Sequence, residues 1–490
     1  MSFIRKNNKP VDKALLLFSF ILIVFYSLLR FIQSGTLIVW SFIPVMLLGV
    51  IFLYENLHTL NNRENIFSAL SIFLAFGFTF FYVVPFNQII WDYWPSILNN
   101  EGMKEWVGLW AILCIVGFFL VVVGFKSTRV KIKSNLSYHI NTKKMHIPFL
   151  IGIFFCLLCQ VIVLIKLGGY SGYLNSYEMR LEGSIQNYNP YAGFGFLFTF
   201  SESLPNLIAI YIVLLIKDKE WSKSVKVLLC LIVFLFLLNM LFGGLRGSRS
   251  TTIWSLFWFI VIYHNNIKKL NLKLLIGLGA GFFLFMTTYS LYKFGGIEGV
   301  QGLWDKDIKA QVFEHKYIED SEKFALVRDA GRTDVQSFII KTYWNEDYPL
   351  SYGRTLVAGA LSFVPSFLLP NKPVTAIKEK TGIFWSDYSF TETNYTTLLA
   401  GGYGEFIINF GILFGLVFFY IFGVLISYID GFCRALPKDG IFNLLSPIFI
   451  LLSIQMLMSD SNVISQFLFR FITIPLIVLY FCPKLVKNNN

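Results

Sequence analysis

The stretch Leu272-Lys-Leu-Leu-Ile-Gly-Leu-Gly-Ala-Gly-Phe-Phe-Leu-Phe-Met-Thr-Thr-Tyr-Ser-Leu-Tyr-Lys-Phe294 carries charge only near its two ends, and a polar stretch from Gly295 to Thr397 follows it. A helix of about twenty apolar residues spans the roughly 30 Å hydrocarbon core of a bilayer. Working outward, the same pattern recurs on both sides, with spans expected at 14–32, 36–54, 66–90, 106–125, 147–167, 193–216, 225–245, 250–264, 272–294, 403–427, 441–458 and 463–481. The chain therefore reads as an all-α polytopic membrane protein of twelve transmembrane helices with one large extracytoplasmic loop. Residues 1–294 carry the first nine helices, 295–397 form the loop or lid, and 398–490 carry the last three. A large folded loop near one end of a bundle marks the face on which such a protein works.

Composition agrees with that reading. Of 490 residues, 56% are hydrophobic and only 14% charged, more apolar surface than a soluble domain can bury. No small-residue cleavage site follows the first apolar run, so Met1–Lys13 leads into a retained helix rather than a removed signal peptide. The six cysteines sit singly, apart from Cys156 and Cys159 one turn apart, and neither metal spacing nor a disulfide framework emerges.

Basic residues set the expected orientation. They crowd the N-terminus, 126–146 (Lys126, Arg129, Lys131, Lys133, Lys143, Lys144), 217–226, 265–273 and the tail with Lys484 and Lys487. These connections are expected in the cytoplasm, which puts both termini inside and the large loop outside. The net charge of +12 is then a topology signal and not a nucleic-acid footprint.

Ionisable groups inside spans are costly unless paired or facing a wet cavity. Glu202 lies in Phe200-Ser-Glu-Ser-Leu-Pro205, Arg470 in Phe467-Leu-Phe-Arg-Phe471, and Glu405 opens the tenth expected span, all in the outer half. A Glu202–Arg470 ion pair locking helices together and a polar cavity open to the outside are compatible readings. In Gly243-Gly-Leu-Arg-Gly-Ser-Arg-Ser250, a glycine turn leads into a helix whose N-terminus points outward. Arg246 and Arg249, three apart, share a face if both lie in its first turn. Two guanidiniums beside free backbone N–H groups suit a diphosphate; anchoring to lipid headgroups is the plainer reading. Glu405 follows Gly401-Gly-Tyr-Gly404, where a carboxylate at a helix start is either structural or a base.

In the loop, Arg328, Arg332 and Arg354 recur among acidic residues, and Asp387 and Glu392 are further carboxylates. The run 355–369, broken by Pro365, is too short to span and suits an interfacial or re-entrant helix roofing a cleft that admits lipid. Trp344, Trp385, Tyr388 and Tyr395 suit sugar rings and an interfacial belt equally. Asp305 and Asp307 read as a solvated face, and His315 is a lone histidine. Walker, zinc-protease and serine-hydrolase signatures are absent.

The order of spans, the late outer loop, and the segments Gly243-Gly-Leu-Arg-Gly-Ser-Arg249 and Gly401-Gly-Tyr-Gly-Glu-Phe-Ile-Ile-Asn-Phe-Gly411 resemble the Wzy-type O-antigen and capsule repeat-unit polymerases. The likeness covers most of the chain in layout and is specific over those segments only. It implies transfer of a growing glycan from one undecaprenyl diphosphate onto the next lipid-linked repeat unit, at the outer face of a bacterial inner membrane. It implies functional arginines in outer loops, here Arg180, Arg246, Arg249, Arg328, Arg332 and Arg354, and a chain-length regulator as a candidate partner besides membrane lipids. The chemistry needs neither nucleotide nor redox cofactor, because the diphosphate is already a good leaving group. On this reading Arg246 and Arg249 hold the diphosphate, and Glu405, Asp387 or Glu392 takes the acceptor proton. Glu202 and Arg470 join the substrate-binding set. An O-antigen ligase shares the layout, and a lipid-linked oligosaccharide flippase is the alternative from another class.

Overall fold

A computed structural model describes residues 66–94, 103–128, 138–141, 144–174, 195–246, 249–305, 326–327, 330–345, 348–364, 368–384, 398–436 and 440–486, with the single positions 307 and 323. Spans expected at 14–32 and 36–54 lie outside these residues. In chain order, α1 (Ala69–Phe78) runs through a π-helical turn into α2 (Val84–Trp91), and α3 (Met103–Ser127) follows. After strand β1 (Tyr138–Ile140) come α4 (His146–Lys166), α5 (Gly195–Ser201), α6 (Leu204–Ile216), α7 (Val225–Leu241), α8 (Arg249–Asn266) and α9 (Leu272–Gly299). Loop helices α10 (Thr333–Asn345), α11 (Arg354–Ala360) and α12 (Ala376–Phe384) precede α13 (Gly401–Gly415), α14 (Val417–Ala435), α15 (Ile441–Met458), α16 (Ser461–Phe481) and strand β2 (Lys484–Val486).

Among the described residues, six helices are long and apolar enough to cross a membrane: Ala69–Trp91, Trp106–Ser127, His146–Lys166, Gly195–Ile216, Val417–Ala435 and Ser461–Phe481. Val225–Leu241, Leu272–Met286 and Phe442–Met458 are apolar but shorter. The uncovered surface agrees with a bilayer. On α4 alone, Ile147, Leu150, Ile151, Phe154 and Ile165 are exposed, a contiguous apolar stripe that water does not tolerate. Helix α8 is the opposite case, buried along most of its length from Thr251 to His264. Its buried face accommodates Thr251, Thr252, Ser255 and His264 without exposing them to lipid.

Two cores form. One gathers α4, α6, α7, α8 and α16 around Leu207, Trp258, Phe259 and Phe471. The other gathers α1–α3, α10, α13 and α14 around Phe73, Trp110, Tyr403 and Phe422. Helix α15 contributes to both through Ile448, Leu451 and Leu457. Close approach of α3 and α14 depends on glycine: a Cβ on Gly423 would overlap the Val121 carbonyl oxygen, and one on Gly124 the Tyr420 carbonyl. Small residues permit such backbone contact between membrane helices. Gly423→Val is therefore expected to destabilise the protein by about 1–3 kcal/mol through overpacking, read as a lowered unfolding midpoint in detergent.

The tenth span expected at 403–427 is corrected by the structure. Helix α13 ends at Gly415, and the helix long and apolar enough to cross is α14, beginning at Val417. Glycine is the cause. Gly411 adopts φ +80°, ψ 173°, which breaks the helical ladder and frees the carbonyls of the preceding turn. Loop backbone takes them up: Ser351 N–H donates to the Ile408 carbonyl at 3.0 Å and Tyr352 N–H to that of Asn409 at 3.0 Å. The Tyr343 hydroxyl also donates to the Ile408 carbonyl. Burial, then Tyr348 and Glu379, push that phenol well above its ordinary range, which keeps it a donor.

The large loop is accordingly part of the bundle. Helix α10 packs on α3 and α13, α11 on α16, and α12 on α11 and α13. Among the described residues of the expected run 355–369, the helix ends at Ala360; this helix, Arg354–Ala360, lies against the first turn of α16 with Gly359 facing Ser461. At the opposite end, β1 pairs antiparallel with β2, and Lys268 donates to the Lys223 carbonyl at 2.8 Å. Among the described residues, the connections at 217–224 and 265–271 and the β1–β2 pair share one end of the bundle, and the loop helices occupy the other.

Candidate functional site

Helix α5 stops at Ser201 and α6 starts at Leu204, because Pro205 lacks the N–H that would bond back to Ser201. Glu202 sits in this break, with its side chain 1% exposed. Its carboxylate receives two guanidiniums from elsewhere in the chain. Arg246 Nη2 pairs with Oε1, and Arg470 Nη1 pairs with Oε2 at 3.0 Å. Arg470 also donates to Thr251 Oγ1 at 3.0 Å, which ties it to the first turn of α8. Arg246 lies over the Phe198 ring, 4.2 Å from its centroid, a cation–π contact from the adjacent turn of α5.

The turn that presents Arg246 is built for this position. Gly243 has φ +150°, and a Cβ there would stand 3.2 Å from Glu202 Cδ. Gly244–Arg246 form a short 3-10 turn, whose carbonyls accept bonds from Tyr289 (to Gly244) and from Tyr292 (to Leu245, 2.8 Å), both on α9. From α16, the Arg470 carbonyl takes the Ser203 hydroxyl at 2.5 Å, fixing that helix against the α5–α6 break. One carboxylate between two arginines leaves a net charge of +1. Exposure rises outward: 1% for Glu202, 13% for Arg246 and 26% for Arg470. An anion arriving here meets the guanidiniums before the carboxylate behind them.

The Glu202–Arg470 pair is present, and Arg246 joins it, which the sequence did not signal. Arg249 is the first residue of α8, while Arg246 precedes that helix in the 3-10 turn. The two arginines are thus not stacked within one helical turn.

Glu405 belongs to a second polar constellation, where the loop meets the bundle. Its Oε1 accepts from Thr355 Oγ1 at 2.8 Å and Ser461 Oγ at 2.6 Å, and its Oε2 accepts from Ser461 N–H at 2.6 Å. A carboxylate at the N-terminus of α16 is favourable with its dipole. Asn409 donates to Thr355 Oγ1 at 2.7 Å and accepts from Gly353 N–H at 2.9 Å. Next to this network, Lys380 and Asp460 form an ion pair with both side chains at 0% exposure. Lys380 also donates to the Leu398 carbonyl, and Asp460 Oδ1 accepts from Ala400 N–H at 2.9 Å. Gln336 links the Ala400 carbonyl (2.7 Å) to Trp110 Nε1 (2.8 Å). Sequence reading missed Lys380, Asp460, Ser461 and Gln336. Only Ser459-Asp-Ser461, a helix-capping pattern between two apolar runs, gave any hint of them.

The remaining candidates scatter. Arg332 is buried and donates through Nε to the Met458 carbonyl at 2.8 Å, a cation at the C-terminus of α15. Arg354 is 59% exposed and pairs with Glu379 at 2.7 Å. Asp305 turns its carboxylate onto the Asp307 N–H at 2.9 Å, a local backbone turn. Trp344 is exposed. Arg180, Arg328, Asp387, Glu392, His315, Trp385, Tyr388 and Tyr395 lie outside the described residues. Among the described residues of the expected set, Glu202, Arg246 and Arg470 converge, with Arg249 close by in sequence. Helix α16 relates the two constellations: Ser461 and Arg470 are nine residues apart, roughly 14 Å along its axis. Comparison with models of known protein families, with characterised proteins and with solved structures returned no match.

Proposed function

We propose that the protein is a membrane glycosyltransferase that polymerises polyprenyl-diphosphate-linked oligosaccharide repeat units at the outer face of a bacterial cytoplasmic membrane. The observation that carries this reading is the convergence of Arg246 and Arg470 beside the loop-bearing end of an apolar bundle. A cationic site at membrane depth suits an anion delivered on a lipid. Paired guanidiniums match the diphosphate of a polyprenyl carrier in charge and in hydrogen-bond geometry. The crowding of basic connections at the opposite end supports placing that end in the cytoplasm and the arginines towards the outer leaflet.

In the proposed reaction the acceptor hydroxyl attacks the anomeric carbon of the donor sugar. The bond to the phosphate oxygen breaks, and the leaving polyprenyl diphosphate keeps the electron pair. Arg246 and Arg470 stabilise the charge that develops on it, the type of electrostatic help that contributes most in a water-poor site. Arg249, at the start of α8, adds a third cation beside that helix N-terminus. Helix α11 packs on α16, and Lys380 of α12 pairs with Asp460 just before that helix, so that the acceptor is oriented over a fixed framework.

Deleting the gene and resolving the surface glycan on a gel tests this reading. The expected result is a glycan of one repeat unit on its final acceptor. Long chains left on the lipid carrier would identify a ligase. Lipid-linked units confined to the inner leaflet would identify a flippase.

A further inference from the structure

We infer that Glu202 is the general base of the transfer, and that Arg246 and Arg470 keep it occupied until the donor's diphosphate draws them away. This deepens the polymerase reading and rests on it. The carboxylate stands directly behind both cations, with one oxygen on each. A diphosphate carries more charge than one carboxylate and offers more acceptor oxygens, so it competes effectively for both guanidiniums. Each arginine that turns to the diphosphate uncovers one oxygen of Glu202.

Two observations place the base here. First, Glu202 sits within ion-pair distance of the groups that would hold the leaving diphosphate, and a base must lie within hydrogen-bond reach of the attacking hydroxyl. Glu405 already accepts three hydrogen bonds from Thr355 and Ser461, and Asp460 is paired with Lys380. Second, Asn206, in the first turn of α6 just after the break that holds Glu202, is 1% exposed. Neither amide atom of Asn206 has a hydrogen-bond partner among the described residues. A buried amide left open is costly. Four positions along the chain from Glu202, this open amide is the group we assign to receive the carboxylate once its arginines release it.

The proton balance is complete. The acceptor hydroxyl gives its proton to Glu202 as its oxygen bonds the anomeric carbon. The departing diphosphate carries off the electron pair and is held by the arginines. The protonated Glu202 then returns its proton to the diphosphate or to water, and the ion cluster re-forms when the product leaves. The same exchange explains how a buried carboxylate avoids activating water when no donor is bound.

Glu202→Gln in the full-length protein separates this role from a structural one. With undecaprenyl diphosphate as the probe, the purified variant is expected to bind about tenfold more tightly than the native protein, because the competing carboxylate charge is gone. In the deletion strain it should make no polymer. Tighter binding with lost polymer supports the inference. Normal polymer overturns it, and so does probe affinity that is unchanged or weaker in a folded variant. If the glutamine variant fails to accumulate, Glu202→Asp is read instead. It keeps the charge but withdraws it by one methylene, so native-like probe binding with at least tenfold slower polymerisation is expected, and full activity overturns the inference. Polymer of normal length in the deletion strain itself would instead remove the polymerase reading.

Discussion

Lys380→Met is expected to destabilise the protein by about 3–5 kcal/mol, the cost of leaving one member of a buried ion pair alone. Both Lys380 and Asp460 are fully buried, so solvent does not screen the pair. Methionine fills the space of the aliphatic stem but supplies no charge. Asp460 would then remain buried beside the Glu405 carboxylate, with only the Ala400 N–H still donating to it. The Leu398 carbonyl would lose a donor as well. Because Asp460 precedes α16 and Lys380 lies on α12, the loss falls on the joint between the loop and the last helix. The double variant Lys380→Met, Asp460→Asn is expected to recover most of the stability. It removes the stranded charge, and the asparagine Oδ1 still accepts from Ala400. Thermal unfolding of all four proteins in one detergent completes the double-mutant cycle. Equal, additive losses for the two single variants, with no recovery in the double, would show that the pair does not couple the loop to the bundle.

That joint was not legible in the sequence, and the reason is physical. A bilayer forces long apolar runs, so the spans from Ala69 to Ser127 and from His146 to Ile216 could be read almost to their ends. An ionisable residue inside such a run needs a partner, which is why Glu202 and Arg470 could be paired across 268 positions of chain. Lys380 gave no such signal, because it lies in a loop whose charges nearly balance and its burial depends on tertiary packing alone. Apolar character was equally blind to the break at Gly411. Hydropathy reads 403–427 as continuous, whereas the φ of one glycine, and the loop backbone that takes up the carbonyls it frees, divide it. Arg246 is the instructive case. Its sequence context suggested a helix start facing outward beside Arg249, but the 3-10 turn and Gly243 carry it back onto Glu202. Local pattern located the cation; only the fold located its partner.

Arg246→Ala is expected to lower polymer formation at least 100-fold while the protein still accumulates in the membrane. The fall corresponds to about 2.7 kcal/mol of lost transition-state stabilisation, within the range for removing one donor that meets developing charge. Accumulation is expected because Glu202 keeps its pair with Arg470, and Arg470 keeps Thr251. The variant does not strand a buried charge; it changes the cluster from +1 to neutral. A site of no net charge still accepts a carboxylate but has little to offer a diphosphate. Arg246→Lys should fall between the two proteins, about tenfold below the native one. It restores the charge as a single point and loses both the planar fork and the stacking over Phe198. The three proteins are compared in the deletion strain by glycan chain length, with membrane levels measured in parallel. Normal chain lengths in Arg246→Ala at normal protein levels would show that the cluster only joins α5, α8 and α16. Graded loss in the order alanine below lysine below arginine follows only if the guanidinium meets charge that grows during the reaction.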